Sequence, residues 1–72
     1  MVSWLECDKG LKLADNNVLI EFVYPSNSQH ADDLPELFLL YIDNICVSHS
    51  NILKEMQMLA EFTLRRREIR NL

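Results

Sequence analysis

Apolar residues recur at spacings of three and four through the second half of the chain. Leu34, Phe38, Ile42, Ile45, Ile52, Met56 and Leu59 carry the stripe, His49 and Thr63 keep its phase, and Leu53 and Ala60 widen it. At 100° per residue these positions share one face, with Glu36, Asp43, Lys54 and Glu61 opposite. The spacing predicts one long amphipathic helix within residues 33–70, with room for a kink near its middle. Asp33 and Glu36 stand at capping-box spacing, and Pro35 falls in the first turn, where its missing N–H costs nothing. Arg65, Arg66, Arg67 and Arg70 suit the negative end of the helix dipole.

The middle of this stretch is its weak point. Val47-Ser48-His49-Ser50-Asn51 is a run of poor helix formers, and a Ser or Asn here is able to cap a second helix. The competing reading is a hairpin: Leu37 to Ile42 as one strand, Asp43-Asn44 as the turn, Ile45-Cys46-Val47 as the next strand, and helix only after Asn51. The continuous helical reading is preferred because the stripe stays in phase across the weak run.

The first half has a different period. Leu11-Lys12-Leu13 alternates, Asp15-Asn16-Asn17 is turn chemistry, and Val18 to Tyr24 is rich in β-branched and aromatic residues. This predicts a β-hairpin over 10–24, with strands near 10–14 and 18–24, followed by a polar loop over 25–32. Residues 1–9 fit either a helical turn, with Ser3 and Glu6 at capping-box spacing and Gly10 as its stop, or a short strand. A lone hairpin is marginal in water, so it must lie on the helix stripe. The fold class expected is α+β: one small domain, 1–72, with an N-terminal hairpin packed on a long C-terminal amphipathic helix. The alternative is all-α, with helices near 3–14, 34–48 and 51–69.

Within the predicted hairpin, Gly10, Leu13, Val18 and Phe22 span 13 residues in a spacing that resembles the second-strand region of polo-box domains. These are four generic positions. The further strands such a domain needs are not predicted, so no family is assigned.

Seventy-two residues make a domain with a small core, marginal unless something supplements it, while 49% apolar content is ample for a folded chain. No apolar run is long enough to span a bilayer, and no basic flank followed by an apolar stretch marks a signal peptide. Two cysteines do not make a disulfide framework, so Cys7 and Cys46 are expected to be reduced in a cytoplasmic protein, with a Cys7–Cys46 bridge as the alternative for a secreted one. The net charge of −4 is uneven, −7 over residues 1–61 and +3 over 62–72. An acidic body disfavours general nucleic-acid binding.

Candidate chemistry is sparse. Cys46 and His49 stand three apart, and with Cys7 and His30 they reach a zinc stoichiometry, but not the spacing of a finger. Asp32-Asp33 fits helix capping better than acid–base work, and no phosphate loop is present. No enzyme, metal or cofactor is expected.

A more informative set is Leu40, Val47, Met58, Phe62 and Ile69, which on one helix would form a second apolar line behind the first. A domain this small cannot cover both faces of so long a helix. The line predicts a contact surface for another protein or a second copy of the chain, with Arg65, Arg66, Arg67 and Arg70 as a docking site beside it. The function expected is that of a small acidic regulator, adaptor or chaperone-like protein. By analogy of class, secretion chaperones and inhibitors of host machines are built this way. The alternative is a dimeric nucleic-acid-binding regulator acting through the arginine end.

Overall fold

Strand β1 (Trp4–Cys7) opens the chain in the computed structural model, which describes residues 3–26 and 34–70, with side chains as far as Arg67. It is followed by β2 (Gly10–Leu13), β3 (Val18–Val23), β4 (Leu37–Ile42), β5 (Ile45–Ser50) and helix α1 (Leu53–Arg70). The strands form one antiparallel sheet in the order β1-β2-β3-β4-β5, each hydrogen-bonded to its neighbour in sequence. The fold class is therefore α+β, and the all-α alternative is not supported.

Alternation of side chains decides which face is buried. Leu13, Val18, Ile20, Phe38, Leu40 and Ile42 point to one face of the sheet and are buried there. The register Val18↔Ile42, Ile20↔Leu40 and Phe22↔Phe38 stacks them across β3 and β4. Phe22 and Phe38 meet edge to face at 5.2 Å, a favoured aromatic geometry. Met56 and Ala60 of α1 close this core, with Leu53, Leu64, Trp4 and Leu11 packed around it. Trp4 Nε1–H also donates to Glu61 Oε2 at 2.9 Å, tying β1 to the middle of α1.

The hairpin predicted over 10–24 is present as β2 and β3. The long helix is not. Residues 37–50, read as helix from the stripe, are the β4–β5 hairpin that was the competing reading, and only Leu53–Arg70 is helical. Phe38 and Ile42 stand four apart, and that spacing puts two residues on one side of a helix and equally on one face of a strand. The choice was made by partners: β3 offers a complete ladder to β4, from Val18↔Ile42 to Val23↔Leu37. The proposed Asp33 cap lies outside the described residues. Pro35 is not in a helix, and the Glu36 N–H donates to the Val23 carbonyl at 2.8 Å. Residues 4–7 form a strand rather than a helical turn, and Gly10 begins β2 rather than ending a helix.

Asp43 and Asn44 form the two-residue turn, with φ of 54° and 69°. Two left-handed residues between the paired Ile42 and Ile45 make a type I′ hairpin turn, which favours glycine at its second position. Asn44→Gly should therefore raise stability by about 0.5 kcal/mol, since only glycine escapes the steric penalty of that region. A urea denaturation midpoint shifted downward instead would mean that the Asn44 side chain itself holds the turn.

A local hydrogen-bonded turn leads into α1. Ser50 Oγ accepts from the Ile52 N–H at 3.0 Å and donates to Glu55 Oε1 at 3.2 Å. Glu55 also places a negative charge in the first turn, at the positive end of the dipole. So the poor helix formers around Ser50 mark the true helix start.

Candidate interaction surface

Helix α1 packs on β4 and β5, less on β3, and so sits toward the β5 edge of the sheet. The buried line of α1 is Leu53, Met56, Ala60 and Leu64, at spacings of three and four. Leu59 and Thr63 flank this line on the β5 side. Met58 and Phe62 turn away from the sheet altogether, being 60% and 57% exposed. Packing against the core ends at Leu64, and Arg65, Arg66 and Arg67 are exposed.

Among the described residues strand β5 pairs with β4 alone and is an edge of the sheet. Its ladder shifts by one residue opposite Leu40 and Tyr41, leaving Val47 as the extra residue of a β-bulge. Ile45 and Val47 are 64% and 51% exposed. Between this strand and α1 runs a groove of about 320 Å³, lined by Ile42, Asp43, Ile45, Val47, Leu59, Thr63 and Arg67. At one end Arg67 Nη1 meets Asp43 Oδ2 at 3.2 Å, an exposed pair. Above Phe62, the Arg66 guanidinium carbon sits 5.7 Å from the ring centre, within cation–π range.

The predicted contact line is therefore only partly assembled. Leu40 does not belong to it: the side chain is fully buried at the centre of the sheet. Val47 is exposed, but on a strand rather than on the helix. Met58 and Phe62 are exposed on α1 as expected. Ile69 and Arg70 lie in α1, and their side chains are outside the described residues. The helical stripe had also assigned Ile52 and Ile45 to the core, yet both are exposed.

Cys46 and His49 lie on β5 rather than on a helix, opposite Tyr41 and Leu39 on the sheet face away from α1. Cys7 is on β1, at the other edge of the sheet, and both thiols are free. Four strand spacings of about 4.8 Å separate the two edges, far beyond disulfide reach. The fourth member of the zinc stoichiometry, His30, lies outside the described residues, as does the Asp32-Asp33 pair. Among the described residues no three His, Cys, Asp or Glu side chains converge on a point where a metal would sit.

The face of the sheet away from α1 carries Leu19, Val23, Leu37, Leu39 and Tyr41, all partly exposed, with Lys12 and Glu21 among them. Burial, and then a hydrogen bond to Glu21, hold the Tyr41 phenol above its ordinary pKa. A shallow hollow of about 510 Å³ beside it is lined by Lys9, Lys12, three asparagines and Glu21, a mixed set with no convergent charge.

No helix among the described residues is long and apolar enough to cross a membrane. Comparison of the chain with protein-family models, with curated proteins and with solved structures finds no match. The likeness of residues 10–22 to polo-box domains thus has no family match beside it.

Proposed function

We propose that this chain is a non-enzymatic protein-interaction module, a small acidic regulator or adaptor that binds a partner protein through the outer side of α1. One observation carries the proposal: Met58 and Phe62 stand exposed side by side on a helix whose other face already fills the core. They are four residues apart and so adjacent on the helix surface. Large side chains in such a position mark a contact site when they form a patch rather than occurring singly. Arg66 over the Phe62 ring adds a planar cation to an aromatic anchor, a pairing common at binding hot spots.

The arginine end supports the nucleic-acid alternative less well. Arg67 is engaged with Asp43 and Arg66 with Phe62, which leaves Arg65 uncommitted among the arginines whose side chains are described. The surrounding body is acidic, and phosphate binding depends on a clustered positive field.

The test is co-purification from the source cells with the wild-type chain and with Met58→Glu and Phe62→Glu. Proteins retained by the wild type at high salt should be lost with either variant. Truncating or charging a central aromatic anchor typically weakens an interface by about 2 kcal/mol or more, some thirtyfold in affinity. Folding should be untouched, as read by circular dichroism. Retention that vanishes with rising salt and survives both substitutions would favour the arginine end instead.

A further inference from the structure

We infer that the β5 edge and the flank of α1 above it form a twofold interface with a second copy of this chain, centred on Val47 and Leu59 rather than on Met58 and Phe62. The inference goes beyond the proposed function and does not depend on it. An open edge presents unpaired N–H and C=O groups that will template another strand unless charge, proline, a bulge or a cover blocks them. From Ile45 to Ser50, β5 carries no charged residue and no proline. Among the described residues the bulge at Val47 is the one blocking device it has, so side chains share the interface with main-chain pairing. The opposite edge differs: β1 carries Glu6 and is followed by Asp8, so a twofold there would bring like charges together.

Two β5 edges running antiparallel in a continuous sheet are related by an axis perpendicular to that sheet. Both helices then lie on the same side, antiparallel to each other. Val47 and Leu59 line the same groove, so an axis near one is near both. The operation that sets Val47 against its copy also sets Leu59 against its copy, and it covers Ile45 from the side.

Charge along α1 favours this partner over an unrelated protein. Helix α1 runs back along β5, with Glu55 near Ser50 at one end and Arg67 near Asp43 at the other. At the margin of this flank, on its Phe62 side, Glu55 lies at the N-terminal end and Arg66 at the C-terminal end. Reversal by the twofold brings the arginine end of each helix beside the Glu55 end of the other, and it opposes the two helix dipoles favourably. A small domain with a marginal core also gains from burying apolar surface between copies.

Sedimentation velocity of the full chain, over roughly 1–300 µM, should show a monomer–dimer equilibrium. Val47→Glu and Leu59→Glu should each weaken it by about 100-fold or more, because each charge meets its own copy at the axis. Circular dichroism at dilute concentration should be unchanged. In a Cys7→Ser/Cys46→Ser background, Leu59→Cys should oxidise to a covalent dimer and Met58→Cys should not. A chain that stays monomeric throughout the range overturns the inference. So does a dimer insensitive to both Glu variants, or one that Met58→Cys crosslinks and Leu59→Cys does not. A monomeric chain whose Phe62→Glu variant still loses co-purifying proteins removes the twofold and leaves the proposed function standing. A dimer broken by Leu59→Glu, with the same proteins retained by wild type and Phe62→Glu, does the reverse.

Discussion

Gly10→Ala should strongly destabilise the chain. Gly10 has φ of 152°, a backbone conformation that L-residues rarely adopt. A Cβ at this position would stand 2.3 Å from the Ile20 carbonyl oxygen and 2.8 Å from Phe22 Cδ1. The carbonyl in particular has little room to yield, because it belongs to a residue paired on both sides in the sheet. Ile20 is fully buried in the sheet, and the Phe22 ring is packed edge-on against Phe38. Backbone strain of this kind costs about 1–3 kcal/mol, and overpacking against a well-packed core adds about 1–3 more. A domain of this length has roughly 4–11 kcal/mol of stability in total. The substitution therefore removes a large share of it, and the melting temperature by circular dichroism should fall by about 10 °C or more. An unchanged melting temperature would mean that β2 does not enter the sheet against Phe22.

Leu40→Ala should cost about 2–5 kcal/mol, the range for deleting a fully buried leucine side chain where the surroundings relax only in part. Leu40 is 0% exposed, flanked by Ile20 on β3 and covered by α1. The matched control is Ile52→Ala. That side chain is 49% exposed, just before the helix, so its removal should change stability by roughly 1 kcal/mol or less. Urea denaturation of the two variants separates the strand assignment from the continuous helix. On the helix, Ile52 would be the costly site and Leu40 the harmless one. Equal losses at both would show that the β5–α1 junction is more tightly packed than its exposure indicates.

How much was legible can be followed residue by residue. The β2–β3 hairpin was readable because Leu11-Lys12-Leu13 alternates, Val18 to Tyr24 is rich in β-branched and aromatic residues, and turn residues stand between them, a purely local signal. The helical character of 53–70 was readable because Met56, Leu59 and Thr63, widened by Leu53 and Ala60, keep helical spacing, although the line the structure buries is Leu53, Met56, Ala60 and Leu64. Of the contact residues, Met58 and Phe62 were found because they fall outside that buried line on the same helix. Val47 was found for a reason that did not hold: it was placed on a helix back and is exposed instead at a bulge in an edge strand.

What the residues alone determined is the set of faces available to each segment: a strand period before residue 25, a helical period after residue 52, and left-handed-tolerant Asp43-Asn44 between two apolar runs. They did not determine residues 37–42, where Leu37 to Ile42 is apolar at every position and so fits a helix or a strand. That choice belongs to the tertiary structure, because only the ladder offered by β3 satisfies the backbone of β4 while burying Phe38, Leu40 and Ile42. The same ladder moved Leu40 from the contact line into the core. It also made β5 an edge, since α1 covers the inner face of the sheet and no further strand follows it among the described residues. Local period is a property of a segment, whereas an edge or a core position exists only once its neighbours have been assigned.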